Sequence, residues 1–257
     1  MSDAVIGGEL PVRSSRSTAL TASKRTLDLT LGAVLALVAL PLIVVLALGV
    51  ALELRTWPFF TQQRPGFRGG SFTIVKLRTL PRSTPRYASK LDLEIARMPL
   101  PPLCRLLRRS HLDELPQLLL VPLGTMSLVG PRPRQPDEVE SVDPVFDRLR
   151  SSVRPGCTGL WQVGTAAELL INGAPTFDLF YLRHACLRLD LWLLVRTVPF
   201  MLRLARPIDV HEVPRWVRGA GLVRAPTVLP TQPAKPVLQI SLTRPGVDAP
   251  STSLSDA

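Results

Sequence analysis

From Leu29 to Leu52 the chain carries no charged residue, and that stretch limits what it can fold into. As a helix it extends about 36 Å, and crossing a hydrocarbon core takes about 20 apolar residues. The run is longer than the apolar region of a signal peptide, and no small-residue cleavage site follows it. It is therefore expected to stay in the mature protein. Both flanks are basic, with Arg13, Arg16, Lys24 and Arg25 before it and Arg55, Arg64 and Arg68 after it. A simple span shows basic bias on its cytoplasmic side only. Pro41 sits mid-segment, where it removes a backbone hydrogen bond and favours a kink. Together these features predict a helix that enters the bilayer, bends near Pro41 and returns to the same face. A crossing helix stays open as the alternative, because spanning helices tolerate proline.

Composition narrows the partners. A net charge of +11 alongside 46% hydrophobic residues calls for an anionic partner: nucleic acid, acidic lipid or a phosphorylated substrate. Aromatics are only 5% of the chain, too thin for a binder that stacks bases, so no nucleic acid is expected. Cys104, Cys157 and Cys186 lie far apart, without a C-x-x-C pair. That spacing argues against a disulfide framework or zinc site and for reduced thiols facing a cytoplasm. His111, His184 and His211 are equally scattered and are not assigned to metal.

Along the chain, residues 1–23 read as a loose leader, 24–54 as the membrane helix, 55–206 as a cytoplasmic domain and 207–257 as a Pro-rich disordered tail. Phe59 to Gln63 and Phe72 to Leu77 read as strands joined through Pro65, Gly66, Gly69 and Gly70. Leu91 to Met98, Leu103 to Arg109, Asp113 to Leu120, Glu138 to Arg150 and Phe177 to Ala185 read as helices. Met126 to Val129 and Thr158 to Val163 read as strands. Leu187 to Arg206 mixes Trp192 and leucines with Arg188, Arg196, Arg203 and Arg206. That mixture suits either a membrane-interface helix or a buried helix with a basic edge. The fold class is α+β and mostly helical, membrane-associated, with short strands in a small catalytic domain.

The strongest chemical signal is Leu112-Asp113-Glu114-Leu115-Pro116-Gln117. Adjacent carboxylates at a helix start have a structural explanation: Asp113 caps, and Glu114 sits near the positive dipole end. Ser110 followed by Asp113 also fits the capping-box spacing. The surroundings favour chemistry instead. Arg108 and Arg109 lie upstream, Lys76 and Arg78 end a strand, and Arg132 sits between Pro131 and Pro133. A carboxylate pair among cations suits a phosphate site with Mg²⁺, one carboxylate holding the ion and the other free to attack. Arginines fork onto phosphate oxygens, although each cation taken singly also fits a solvated surface charge.

Several stretches resemble the bacterial polyprenyl-phosphate sugar-phosphate transferases, the monotopic phosphoglycosyl transferases. They are Lys24-Arg25 through Asp28, FFTQQRPG from Phe59, FTIVKLRTL from Phe72, LDELPQ, MSLVGPRP from Met126 and VRPGCTGLWQV from Val153. A weaker match runs from Asp178 through Asp190 to Thr197. The resemblance covers Lys24 to Arg206 with its motifs in order. It implies that Asp113 is the nucleophile attacking a nucleotide-diphosphate sugar, with UMP leaving a UDP-sugar and the phosphosugar passing from Asp113 to polyprenyl phosphate. Glu114 matches the Mg²⁺ ligand and Arg108 a phosphate-binding arginine. Substrate-binding roles for Lys76, Arg78 and Arg132 follow from charge and motif position. The resemblance also implies a re-entrant helix broken at a Ser-Pro pair. The expected location is a bacterial inner membrane with the catalytic domain on its cytoplasmic face, and a homodimer is left open.

The chain departs from the family pattern in four places. Leu40 precedes Pro41 where Ser is usual, and Leu80 to Arg105 is short. Gly164-Thr165-Ala166-Ala167 replaces the usual Ser/Asn-Gly-Arg after Val163, and the four-helix extension of larger members is missing, as expected of a minimal catalytic form. A non-catalytic basic membrane adaptor that binds acidic lipid or nucleic acid is the competing reading, and it leaves the carboxylate pair unexplained. A membrane phosphohydrolase with water as acceptor is the third.

Overall fold

The computed structural model describes residues 15–85, 98–135, 144–165 and 175–219, with side chains described from residue 21. Helix α1 is Ser15–Leu54. It begins before the boundary expected at residue 23, so the last residues assigned to the leader are helical. Pro41 lies inside α1 without ending it. With Leu40 before it, no side-chain hydroxyl competes for the backbone there, and the helix runs through Pro41 as one element where the resemblance implied a break.

Asp28, Gly32, Ala36, Ile43, Ala47 and Val50 are buried, and their spacing is that of one helical stripe. The opposite side keeps Val34, Leu37, Val38, Val45, Leu48 and Leu52 exposed. The stripe lies close to the rest of the chain: a Cβ on Gly32 would meet Val121 Cγ1 at 2.6 Å, and one on Gly49 would meet Leu103 Cδ2 at 2.8 Å.

Strands β1 (Phe59–Pro65) and β2 (Ser71–Leu77) form an antiparallel hairpin with Phe60 opposite Lys76 and Gln62 opposite Ile74. Strand alternation puts Phe72, Ile74 and Lys76 on one face. Phe72 and Ile74 are buried there, and Lys76 is half-buried at the end of the row. The turn closes through Gly66 N donating to Gly70 O at 2.7 Å, with Gly69 in the left-handed region at φ 75.

Helix α2 (Pro102–Ser110) starts with proline and has no cap of its own. Glu53 supplies one from α1, accepting from Leu103 N at 3.0 Å and Cys104 N at 3.1 Å. His111, left-handed at φ 57, ends α2 and opens a 3-10 helix, Leu112–Leu120. That segment packs against β2, α1 and α2. Asp113 makes no capping hydrogen bond, and the residue at the cap position is His111. The α-helix expected from Asp113 is thus replaced by a tighter one, with Glu114 N bonded to His111 O three residues back.

Beyond it, β3 (Ser127–Val129) pairs in parallel with β4 (Gly156–Thr158). The strand expected over Thr158 to Val163 is displaced: β4 ends at Thr158, and Leu160–Val163 is a helical turn, α4. After Gly159 the amides of Gln162 and Val163 bond back to Gly159 O, which commits that stretch to a turn. Helices α3 (Pro144–Ser151), α5 (Pro175–His184) and α6 (Leu187–Met201) complete the described elements. Most of the expected helix Leu91 to Met98 and the first residues of Glu138 to Arg150 lie outside the described residues. On α6 the two readings divide by face: Leu189, Asp190 and Leu193 are buried, while Leu191, Val195 and Val198 are exposed.

The tail assignment from residue 207 is corrected up to Gly219. Ile208, Val210, Val213 and Val217 are buried in the main core with Leu160, Phe177 and Leu189. Ile208 N bonds to Val163 O at 3.1 Å, and Thr165 N bonds to Ile208 O at 2.9 Å. Asp209 and Glu212 close a capping box around Val210–Glu212. Proline content masked these spaced apolar residues, which burial makes structural.

Polar anchors fix the start of α1 to the core. Lys24 Nζ donates to Asp190 Oδ2 and to Val129 O, each at 2.8 Å. Asp28 Oδ1 accepts from Leu128 N at 2.9 Å and Ser127 Oγ at 3.0 Å. Tyr181 donates to Asp190 Oδ1 at 2.8 Å. Burial raises the Asp190 carboxyl, with Lys24 and Tyr181 opposing. Lys24→Met leaves that carboxylate buried without its cation, at a cost of about 3 kcal/mol. The carboxyl then rises further, so lowering the pH protonates it and shrinks the loss. Thermal unfolding should show a larger drop in Tm at pH 8 than at pH 5.5; equal drops would contradict the anchor.

Candidate active site

The side chains at the site arrive on four separate segments. Lys76 comes from the end of the buried face of β2, and Asp113 and Glu114 from the first turn of the 3-10 helix. Arg108 comes from the last turn of α2. Arg132 comes from the Gly130-Pro131-Arg132-Pro133 turn that follows β3.

Glu114 is the meeting point. Lys76 Nζ lies 2.5 Å from its Oε1, and Arg132 Nη2 lies 3.2 Å from the same oxygen. The Arg132 guanidinium also stands over the Trp161 ring, 5.0 Å from its centroid. Burial pushes the Glu114 carboxyl up, but the charges of Lys76 and Arg132 and the Lys76 hydrogen bond outweigh it. They hold Glu114 well below the usual carboxylate range. Exposed His111 adds a smaller pull in the same direction.

Asp113 has the opposite fate. Its carboxyl is raised to about 6: burial pushes it up most, Lys76, Arg108 and Arg132 pull it down, and the Glu114 charge adds to the rise. Adjacent carboxylates with pKa values driven apart suit different tasks. Glu114 is pinned in its charged form, while Asp113 shares the surrounding cations without making a cap.

The sequence expectations for Asp113, Glu114, Lys76, Arg108 and Arg132 therefore converge in one place. Arg108 is half-buried while its neighbour Arg109 is exposed, which separates two cations that looked equivalent. Arg78 does not join them as expected. Its Nε donates to Trp57 O at 3.1 Å and its Nη2 to Phe59 O at 3.3 Å. Residue 78 lies just past the end of β2 at Leu77, and Arg78 ties the hairpin to the exit of α1.

Three supporting residues were not singled out from sequence. Trp161 underlies Arg132, and Arg150 donates both to Asp178 Oδ2 at 2.5 Å and to the Arg132 carbonyl. The available signal was a carboxylate inside an apolar helical run, as at Asp178 between Phe177 and Leu179. Buried charges must be paired.

Glu114 is the carboxylate with an oxygen open to a metal. Both cations sit on Oε1, and among the described residues no hydrogen bond falls on Oε2. The described residues hold no cluster of three or more His, Cys, Asp or Glu side chains. Those residues offer no full protein cage, and the ion their chemistry would suit is one that keeps several waters and takes one or two carboxylates together with substrate phosphates, as Mg²⁺ does.

The sequence profile of the bacterial sugar transferase family matches residues 19–204. Among curated relatives, a UDP-glucose:undecaprenyl-phosphate glucose-1-phosphate transferase of Caulobacter vibrioides is 36% identical over 76% of this chain and 74% of its own length. The exopolysaccharide production protein ExoY of Sinorhizobium fredii is 35% identical over 69% of this chain and 84% of its own. An undecaprenyl-phosphate galactose phosphotransferase of Salmonella typhimurium is 31% identical over 77% of this chain and 43% of its own. The matched span contains every residue of the carboxylate and cation cluster, and the chain belongs to the bacterial sugar transferase family.

Proposed function

We infer that the protein transfers a sugar 1-phosphate from a UDP-sugar to undecaprenyl phosphate, the committing step of exopolysaccharide or related glycan assembly. The observation that carries this is the Asp113–Glu114 pair, set among three cations on a strut packed against the apolar helix α1. The names of the relatives supply the donor and acceptor classes.

In this reading an ionised Asp113 oxygen attacks the β-phosphorus of the donor. A bond forms from carboxylate oxygen to phosphorus, and the bond from that phosphorus to the bridging oxygen breaks, releasing UMP. A phosphate oxygen of the lipid then attacks the same phosphorus, the bond to Asp113 breaks, and the carboxylate is restored. Lys76, Arg108 and Arg132 bear on the charge that collects on the phosphoryl oxygens. Glu114 would hold Mg²⁺, which supplies further charge compensation on the diphosphate.

The same placement supports a re-entrant α1 on the cytoplasmic face of the inner membrane. Lys24 and Asp28 near its start and Glu53 near its end all bond to the catalytic domain. A helix crossing about 30 Å of hydrocarbon straight through would carry its ends to opposite sides. Dipping into one leaflet satisfies both attachments and gives lipid the exposed side of Val34, Leu37, Val38 and Val45.

Three outcomes test this reading. In Mg²⁺ with undecaprenyl phosphate, a panel of UDP-sugars should release UMP, and Asp113→Asn should lose more than about a thousand-fold of that rate. Wild-type rates in Asp113→Asn would end the covalent mechanism, whereas Glu114→Gln should mainly raise the Mg²⁺ requirement. The acid limb of turnover reports Asp113 ionisation, because rate is lost as falling pH protonates it. Lys76→Met removes a charge that lowers Asp113, so that limb should move to higher pH, and an unmoved limb would refute the coupling. Single cysteines at positions 20 and 68 should label from the cytoplasmic side alone; labelling from opposite sides means α1 crosses.

A further inference from the structure

We propose that Arg150 and Asp178 are positioning residues for the transfer reaction, setting Arg132 against Glu114 by holding the Arg132 backbone. The inference rests on the transferase reading above.

Arg132 occupies an awkward turn. Pro131 and Pro133 restrict its backbone, since each fixes its own φ and Pro133 also pushes Arg132 toward an extended conformation. Prolines have no N–H, so this turn has few donors with which to fasten itself. It is held through its carbonyls instead. Pro131 O accepts from Gly156 N at 2.9 Å, and Arg132 O accepts from Arg150 Nη2.

The Arg150 guanidinium is itself fixed. It comes from α3, its side chain is 8% exposed, and its Nε meets Asp178 Oδ2 of α5 at 2.5 Å. The Asp178 side chain is 4% exposed. The rigid guanidinium directs one N–H at the carboxylate and another at the carbonyl. Asp178 thus sets Arg150, Arg150 sets the Arg132 carbonyl, and the Arg132 side chain passes over Trp161 to Glu114 Oε1.

A buried ion pair is weak support for stability, because desolvating both charges offsets most of the attraction. This pair achieves something that an apolar replacement would not: a directed donor on the backbone of a site cation. Misplacing that backbone by about 1 Å is enough to cost a reaction up to a hundred-fold. The arrangement also gives a role to Asp178, a position in the weaker matched stretch that the chemistry itself leaves unused.

The test is a double-mutant cycle on full-length protein in native-like bilayers. Asp178→Asn and Arg150→Lys are each made alone and with Arg132→Ala, and kcat and KM for UMP release are measured with Tm for every variant. With Arg132 present, each change should lower kcat/KM by about tenfold or more. With Arg132→Ala, the same change should cost less than about twofold, because its effect runs through the missing side chain. The drop in Tm should be the same in both backgrounds. Arg150→Lys keeps the charge but lacks the planar fork, so it should hold Tm near wild type while failing to restore the rate. Equal rate losses in both backgrounds, or full activity in Arg150→Lys, would overturn the inference. If Asp178→Asn does not fold, the Arg150→Lys arm decides alone. Failure of wild-type protein to release UMP from any donor would instead refute the transferase reading, and this inference with it.

Discussion

Two adjacent carboxylates on a half-buried segment cannot remain there without compensation, and the rest of the site follows from that requirement. Glu114 draws Lys76 and Arg132 onto one oxygen. Because those cations satisfy Glu114 directly, Asp113 is left with weaker compensation and a carboxyl raised to about 6. The inequality between neighbours arises from geometry, since both side chains start from the same turn. It gives the site one fixed anion and one whose charge is more easily changed, two carboxylates with different environments.

The 3-10 helix is the strut on which this depends. His111 in the left-handed region stops α2, and the tight turns that follow bring the carboxylates against β2 while the other side packs on α1. The carboxylate pair is thereby tied to the apolar helix. In the proposed reaction a lipid phosphate and a water-soluble nucleotide sugar must reach one phosphorus atom, and this coupling of strut to apolar helix would serve both. The polar clamp of Lys24 and Asp28 on β3 keeps α1 beside the strand that leads into the Arg132 turn.

Much of the arrangement was legible from residues alone. Leu29 to Leu52 declared the apolar helix through lack of charge, and Phe72 to Leu77 declared a strand that carries Lys76 near its end. The resemblance singled out Asp113 and Glu114, and the density of cations gave them a reason. The failures are as specific. Arg78 lies two residues from Lys76, yet hydrogen bonds to Trp57 and Phe59 occupy it. The helix expected from Asp113 is a 3-10 helix opened by His111. Proline density after residue 206 hid valines that complete the core.

Sequence by itself determined the chemical inventory and the local pattern: an apolar helix with basic flanks, a hairpin, an acidic pair and a proline-braced arginine. These depend on residue type and short-range spacing, which local sterics and hydrophobic periodicity dictate. Only the tertiary structure decided which cations reach which carboxylate, that Arg150 and Asp178 stand behind Arg132, and that both ends of α1 attach to one domain. Those contacts join residues far apart in the chain, and no local periodicity encodes a pairing that exists only once separate elements pack together.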